Sequence, residues 1–126
     1  MLIIIRGLPG SGKSTLGNAL VQAGVVQHSI SADDWMVDES GNYRFDPFRL
    51  PACHKTCLET ARKALENRQS IAVCNTFTRR WEIEPYLDLA KEYGVAVQEI
   101  VVKGPWQSIH NAPKRAIEDM RARFEL

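Results

Sequence analysis

Eight consecutive residues, Gly7-Leu8-Pro9-Gly10-Ser11-Gly12-Lys13-Ser14, match the pattern G-x-x-x-x-G-K-S/T at every fixed position. That spacing suits a loop wrapped around a polyphosphate. Glycines let the backbone approach closely, so that successive N–H groups point at phosphate oxygens. A helix starting at Gly12 would add its unsatisfied first-turn N–H groups and the positive end of its dipole. Lys13 supplies a mobile ammonium for the β- and γ-phosphates, and the Ser14 hydroxyl is a ligand for Mg²⁺. The expected binding segment runs from Gly7 through Leu8, Pro9, Gly10, Ser11, Gly12, Lys13 and Ser14 to Thr15. The residues imply a bound nucleoside triphosphate. Gly17 lies inside the helix that follows and should cost about 1 kcal/mol relative to alanine. It either admits close helix–strand packing or sits on an exposed face.

A second set of groups follows the next apolar run. Asp33 and Asp34 stand where a strand ends, and ligands of open α/β sheets collect beyond the carboxyl ends of strands. A carboxylate there can take a proton from an acceptor hydroxyl or hold Mg²⁺ through water. The competing reading is a helix N-cap followed by a first-turn acid. Asn75 and Thr76, after a later strand, can hydrogen-bond phosphate, water or an acceptor, or simply form a polar turn. The basic pairs Arg79–Arg80 and Lys114–Arg115 are candidates for neutralising phosphate charge or are solvated surface pairs. Among Trp35, Trp81 and Trp106, all at element ends, Trp35 beside the acid pair is the first candidate for stacking on a base. Packing against the core is the other reading for all three.

Elements must hold these groups in place. Leu2–Ile5 is a continuous apolar run and reads as a buried strand. The pattern predicts a helix over 12–22, a strand over 25–31, a loop over 38–47 and a helix from Pro51 to Asn67. It continues with a strand over 70–74, a helix over 81–93 ending at Gly94, a strand over 95–102, a loop over 104–111 and a helix over 113–124. Strands alternating with helices mark β-α units and a parallel sheet.

At 126 residues the chain is expected to be one domain, 1–126, with a real core. Sixteen basic against fifteen acidic side chains give +1. That balance argues against a protein that coats DNA, though not against a local basic groove. Cys53, Cys57 and Cys74 are an odd, sparse set, which predicts a reducing, cytoplasmic setting rather than a disulfide framework. Cys53, His54 and Cys57 fall near one helical turn, but cysteines on an apolar stripe read as core before they read as zinc ligands. His54 and His110 read as structural before catalytic. The apolar start is too short for a membrane span or a signal-peptide core, so no targeting segment or membrane partner is expected.

Taken together, Gly7–Ser14, Ser31-x-Asp33-Asp34-Trp35, Gly41-x-Tyr43-x-Phe45-Asp46-Pro47, Asn75-Thr76-Phe77 and Glu84-Pro85-Tyr86 resemble one group. It is the small P-loop kinase-like "AAA family ATPase" proteins of phages and bacteria. More distant similarity reaches the 5′-kinase domain of phage polynucleotide kinase and zeta-toxin-type kinases. The resemblance spans Leu2 to Phe124. It implies a three-layer α/β sandwich with four or five parallel strands in the order 2-3-1-4, ATP and Mg²⁺ as ligands, and Asp33 as general base. Ser14 and Asp33 would serve the metal. Asp34, Trp35, Asn75, Thr76, Arg79 and Arg115 are candidates for acceptor contacts. Two departures stand out. The family often carries an acid at the end of the third strand, where this chain has Cys74. Such kinases also close an arginine-bearing lid, whereas residues 107–112 contain no arginine. The expected activity is transfer of the γ-phosphate to a hydroxyl, with a polynucleotide 5′-OH, nucleoside or nucleotide among the acceptors. The alternative is an ATP-binding module or slow ATPase without transferase activity. An oligomer is compatible with either.

Overall fold

The computed structural model describes residues 1–103 and 114–126, with side chains described again from Glu118 onward. The expected loop over 104–111, with Trp106 and His110, lies outside the described residues, as do the side chains of Lys114 and Arg115.

Four parallel strands form the sheet: β1 (Leu2–Arg6), β2 (His28–Ile30), β3 (Ile71–Asn75) and β4 (Val97–Val101). Their order is β2-β3-β1-β4, the order the resemblance implies, and β1 pairs with both β3 and β4. The register places Arg6 opposite Asn75 and Val101, so these strands end together along one edge. The helices are α1 (Lys13–Gln22), α2 (Leu50–Glu66), α3 (Glu84–Glu92) and α4 (Lys114–Arg123).

Alternation along the central strands makes three layers. Leu2, Ile4, Ile71 and Val73 face a core shared with Cys53, Cys57, Ala61 and Leu65 of α2 and Tyr86 and Leu89 of α3. Ile3, Ile5, Ala72 and Cys74 face the other way, with Leu16 and Leu20 of α1 packed against them. Each fully buried aliphatic side chain of this kind contributes about 1.5–3 kcal/mol. β1 and β3 are buried throughout. β4 is an edge strand with its first three residues exposed.

Three sequence boundaries need correction, each for a backbone reason. The strand expected over 25–31 shrinks to His28–Ile30. Gly24 takes φ +75°, and the amides of Val25 and Val26 turn back to Leu20 O, closing α1. The helix expected from Trp81 splits into a 3-10 turn (Arg80–Glu82) and α3. Pro85 has no N–H to continue a helical ladder from Trp81. The strand expected from Val95 starts at Val97, because Gly94 at φ +62° and Val95 N→Ala90 O complete the end of α3. The loop over 38–47 carries an antiparallel bridge between Val37 and Tyr43.

Gly17 is resolved in favour of packing. A Cβ there would lie 2.9 Å from Cys74 Sγ and 3.2 Å from Ser29 Cβ. The missing side chain lets α1 rest directly on β2 and β3.

Candidate active site

The loop from Gly7 to Gly12 joins β1 to α1. Gly10 and Gly12 sit at φ +76° and +99°, left-handed values that favour glycine. Gly7 is required by a different constraint, since a Cβ there would run into Ser11 Oγ and meet Val102 O at 2.7 Å. Gly12 is the N-cap of α1 and provides no side-chain cap. The first-turn N–H groups of α1 therefore have no side-chain acceptor of their own at the cap, where anions bind.

Lys13 Nζ donates to Leu8 O at 2.9 Å. Burial pulls its pKa down to about 8, against the pull of Cys74 and Asp33, which favour the charged form. Ser11 Oγ is buried with no hydrogen-bond partner among the described residues. An orphaned hydroxyl, an uncapped helix and a desolvated ammonium on one loop fit a polyphosphate, which offers an acceptor to each. Ser14 and Asp33 line the same cavity. No cluster of three or more His, Cys, Asp or Glu exists among the described residues. That sparse donor set fits Mg²⁺, which binds through one or two protein groups, substrate phosphates and water.

The acid pair is divided by its local turn. Ser31 caps a 3-10 turn (Ala32–Trp35), its Oγ accepting from Asp33 N at 3.2 Å, while Asp34 Oδ2 accepts from Ser31 N at 2.9 Å. This is a reciprocal capping box. Asp34 thus braces the turn, and Asp33 is the acid that reaches the cavity. Asn75, at the end of β3, is buried, and its Oδ1 accepts from Ala32 N at 2.9 Å and Ser31 Oγ at 3.3 Å. Its amide ties β3 to the turn that presents Asp33. Cys74 turns toward α1, with Sγ donating to Lys13 O at 3.6 Å, and burial pushes its thiol pKa up. The end of β3 therefore offers a neutral thiol where the resembled family often has an acid.

The cavity has a volume of about 760 Å³. Pro9, Gly10, Gly12, Lys13, Ser14 and Thr15 form one end, and Asp33, Asn75 and Thr76 follow. Tyr43, Phe45, Leu50, His54, Trp81, Met120, Arg79 and Arg123 line the cavity as well. Burial, and then the nearby Asp33 charge, raise the pKa of Tyr43. Of the predicted residues, Gly7, Leu8, Ser11, Asp34 and Trp35 do not line the cavity. Trp35 packs on the core beside Met36, and among the described residues Trp81, 69% exposed, is the tryptophan that lines the cavity.

Two arginines escaped the sequence reading. Arg6 ends β1 with no exposed surface. Its guanidinium donates to Phe77 O twice, at 3.1 and 2.8 Å, to Glu99 Oε1 at 2.7 Å and to Glu125 O, and it lies 4.8 Å from the Phe124 ring centroid. A charge closing an otherwise apolar strand was its only sequence signal. Arg123 had none, because its helix is placed by contacts far away in sequence.

The AAA_33 family model, described as an AAA domain, matches residues 2–126. This chain belongs to that family. A curated relative is NEDD4-binding protein 2 of Homo sapiens, 35% identical over 94 residues that cover 74% of this chain and 5% of that protein. Among solved structures, the Pnkp1/Rnl/Hen1 RNA repair complex aligns with TM-score 0.74 at 20% identity over 98% of this chain and 43% of that one. A sugar kinase from Janibacter sp. HTCC2649 aligns with TM-score 0.69 at 18% identity, over 99% of this chain and 78% of that one. The chain spans a small part of the curated relative and under half of the RNA repair chain. The structural likenesses show the α/β fold with its four-stranded parallel sheet. With the family match, the chain is an AAA domain of this fold, with a G-x-x-x-x-G-K-S loop between β1 and α1. Among the described residues no helix is long and apolar enough to cross a membrane.

Proposed function

We propose that this AAA-domain protein is an ATP- and Mg²⁺-dependent phosphotransferase that moves the γ-phosphate to a hydroxyl acceptor, with nucleic-acid 5′ ends, nucleosides and nucleotides as the acceptor class. The observation that carries the reading is that Lys13 and Asp33, a cation of the phosphate loop and a carboxylate from the turn after β2, line one cavity.

The chain's own groups divide the work. The loop amides and Lys13 hold the β- and γ-phosphates, and Mg²⁺, held by Ser14 and by Asp33 through water, would neutralise phosphate charge. Asp33 accepts the proton of the acceptor hydroxyl as that oxygen bonds to the γ-phosphorus. The bond from the γ-phosphorus to the β–γ bridging oxygen breaks, and ADP leaves with a phosphomonoester as co-product. Asn75 is a positioning residue that keeps Asp33 at the cavity. Trp81, Tyr43 and Phe45 offer flat faces to a base. The name of the RNA repair complex is in keeping with a nucleic-acid acceptor. The free thiols of Cys53, Cys57 and Cys74 support a reducing, cytoplasmic setting.

The test uses γ-labelled ATP with 5′-hydroxyl DNA and RNA, nucleosides and small polyols. Label should move to an acceptor, and Asp33→Asn should slow that transfer by about 10²–10⁴-fold while nucleotide affinity is retained. Absence of transfer to every acceptor, with turnover unaltered in Asp33→Asn, would sink the reading. The second reading, a slow ATPase or ATP-binding module, is favoured by the neutral Cys74 at the end of β3. ATP consumption independent of acceptor would establish it.

A further inference from the structure

We infer that Arg123, at the end of α4, is the cation that contacts the transferring phosphoryl group, taking the place of the arginine that residues 107–112 do not supply. The inference rests on the phosphotransfer reading above.

Three cationic side chains line the cavity among the described residues: Lys13, Arg79 and Arg123. Lys13 belongs to the nucleotide loop. Arg79 Nη1 is 2.8 Å from Glu125 Oε1, so a carboxylate already offsets its charge. Arg123 makes no ion pair among the described residues. Its recorded bond is from Nε to the neutral Thr78 Oγ1 at 3.2 Å. The Thr78 hydroxyl is buried and donates in turn to Glu82 Oε1 at 3.1 Å, which fixes its lone pairs toward Arg123. Holding a guanidinium by a neutral hydroxyl at Nε orients the planar fork while leaving its full charge for a ligand. Negative charge on the equatorial oxygens of the moving phosphoryl group is what such a fork stabilises.

The chain after Arg123 shows why this position is dependable. Phe124 packs against the buried Arg6 guanidinium. Glu125 N donates to Thr78 O at 2.6 Å, Glu125 O accepts from Arg6, and the Glu125 carboxylate accepts from Arg79 and from Arg80 N. Phe124 and Glu125 are thereby tied to the carboxyl edge of β1 and to the turn after β3. A residue immediately before this latch is held against the cavity by the turn after β3.

The experiment measures binding of ADP, and of ADP with aluminium fluoride and Mg²⁺, by calorimetry in the wild type, Arg123→Gln and Arg123→Lys. Aluminium fluoride mimics the transferring phosphoryl group, so no acceptor has to be known. The wild type should bind the fluoride complex more tightly than ADP. Arg123→Gln should lose at least about tenfold of the affinity for the complex, and ADP affinity should stay within about twofold. Arg123→Lys should recover part of the loss, because it keeps the charge without the fork. Thermal melting of both variants checks the fold, and the two variants compared with each other isolate charge from packing. If Arg123→Gln gains from aluminium fluoride as much as the wild type does, or loses ADP affinity in equal measure, Arg123 does not serve this role. If the wild type itself gains nothing from aluminium fluoride, the phosphotransfer reading fails, and this inference with it.

Discussion

The two ends of the cavity are built in different ways. The proposed nucleotide end is one contiguous stretch, Gly7–Thr15, whose chemistry is mostly backbone N–H groups and one lysine. The proposed acceptor end gathers Asp33, Phe45, His54, Trp81 and Arg123 from separate turns and helices. A contiguous loop needs only its own glycines and the strand and helix beside it. An assembled wall needs every supporting element to be in register. Substitutions remote from the ligand should therefore spare the first end and damage the second.

The largest effect is expected at Arg6, which anchors the assembled end. Arg6→Ala would leave the buried carbonyl of Phe77 without its two guanidinium donors and Glu99 paired with Arg80 alone, at a cost of about 1–3 kcal/mol. In chemical denaturation the midpoint should fall steeply, and in what stays folded, transfer should drop further than ATP affinity. Equal losses at both ends would break the comparison.

Gly17→Ala tests the support of the nucleotide end. The added methyl would drive into Cys74 Sγ and Ser29, and overpacking of this kind costs about 1–3 kcal/mol. The gain in helix propensity returns about 1 kcal/mol of that. Thermal melting should show a net loss, accompanied by weaker ATP binding because α1 carries Lys13 and Ser14. A more stable variant would mean that the helix can lift from the sheet without harm.

Trp81→Ala should act on the acceptor end alone. Loss of one stacking face is worth about 1–3 kcal/mol, near the lower figure for a ring as exposed as this one. Steady-state kinetics should show KM for a nucleic-acid acceptor rising by about tenfold, with KM for ATP unchanged. A shift in both would mean that Trp81 serves the whole cavity.

The smallest effect is a proton. Lys13 is about half protonated near pH 8 before nucleotide arrives, and phosphate contact favours the charged ammonium. Binding near pH 8 should take up about half a proton, and ATP affinity should fall as pH rises through that range. For stability the sign is opposite: burial lowers the folded-state pKa below the ordinary lysine value of 10.5, so the cost of the buried charge is relieved as pH rises from about 8 toward 10.5. Calorimetry in two buffers of different ionisation enthalpy reads the uptake, and Lys13→Ala should abolish it.

The same contrast separates what the chain reveals in one dimension from what it does not. Elements with strong local signals were legible: the apolar run of β1, the glycines around the loop, the Pro51 start of α2. Boundaries slipped where residues finish a neighbouring helix, as Val25 and Val95 do. The division of Asp33 from Asp34 needed the capping box, since adjacent carboxylates look alike in sequence. Trp35 and Trp81 differ in exposure because of what packs beside each, which spacing does not encode.

By itself the sequence determined that a glycine-rich loop sits between a buried strand and a helix, because backbone conformation there depends on glycine placement over eight residues. The resemblance added the strand order. Only the tertiary structure decided which acid reaches the cavity, that Gly17 is a packing contact, and that Arg6 draws the end of the chain across the sheet edge to set Arg123 at the rim. Those outcomes depend on contacts between residues as far apart as Arg6 and Glu125, and no local pattern records a distance of that kind.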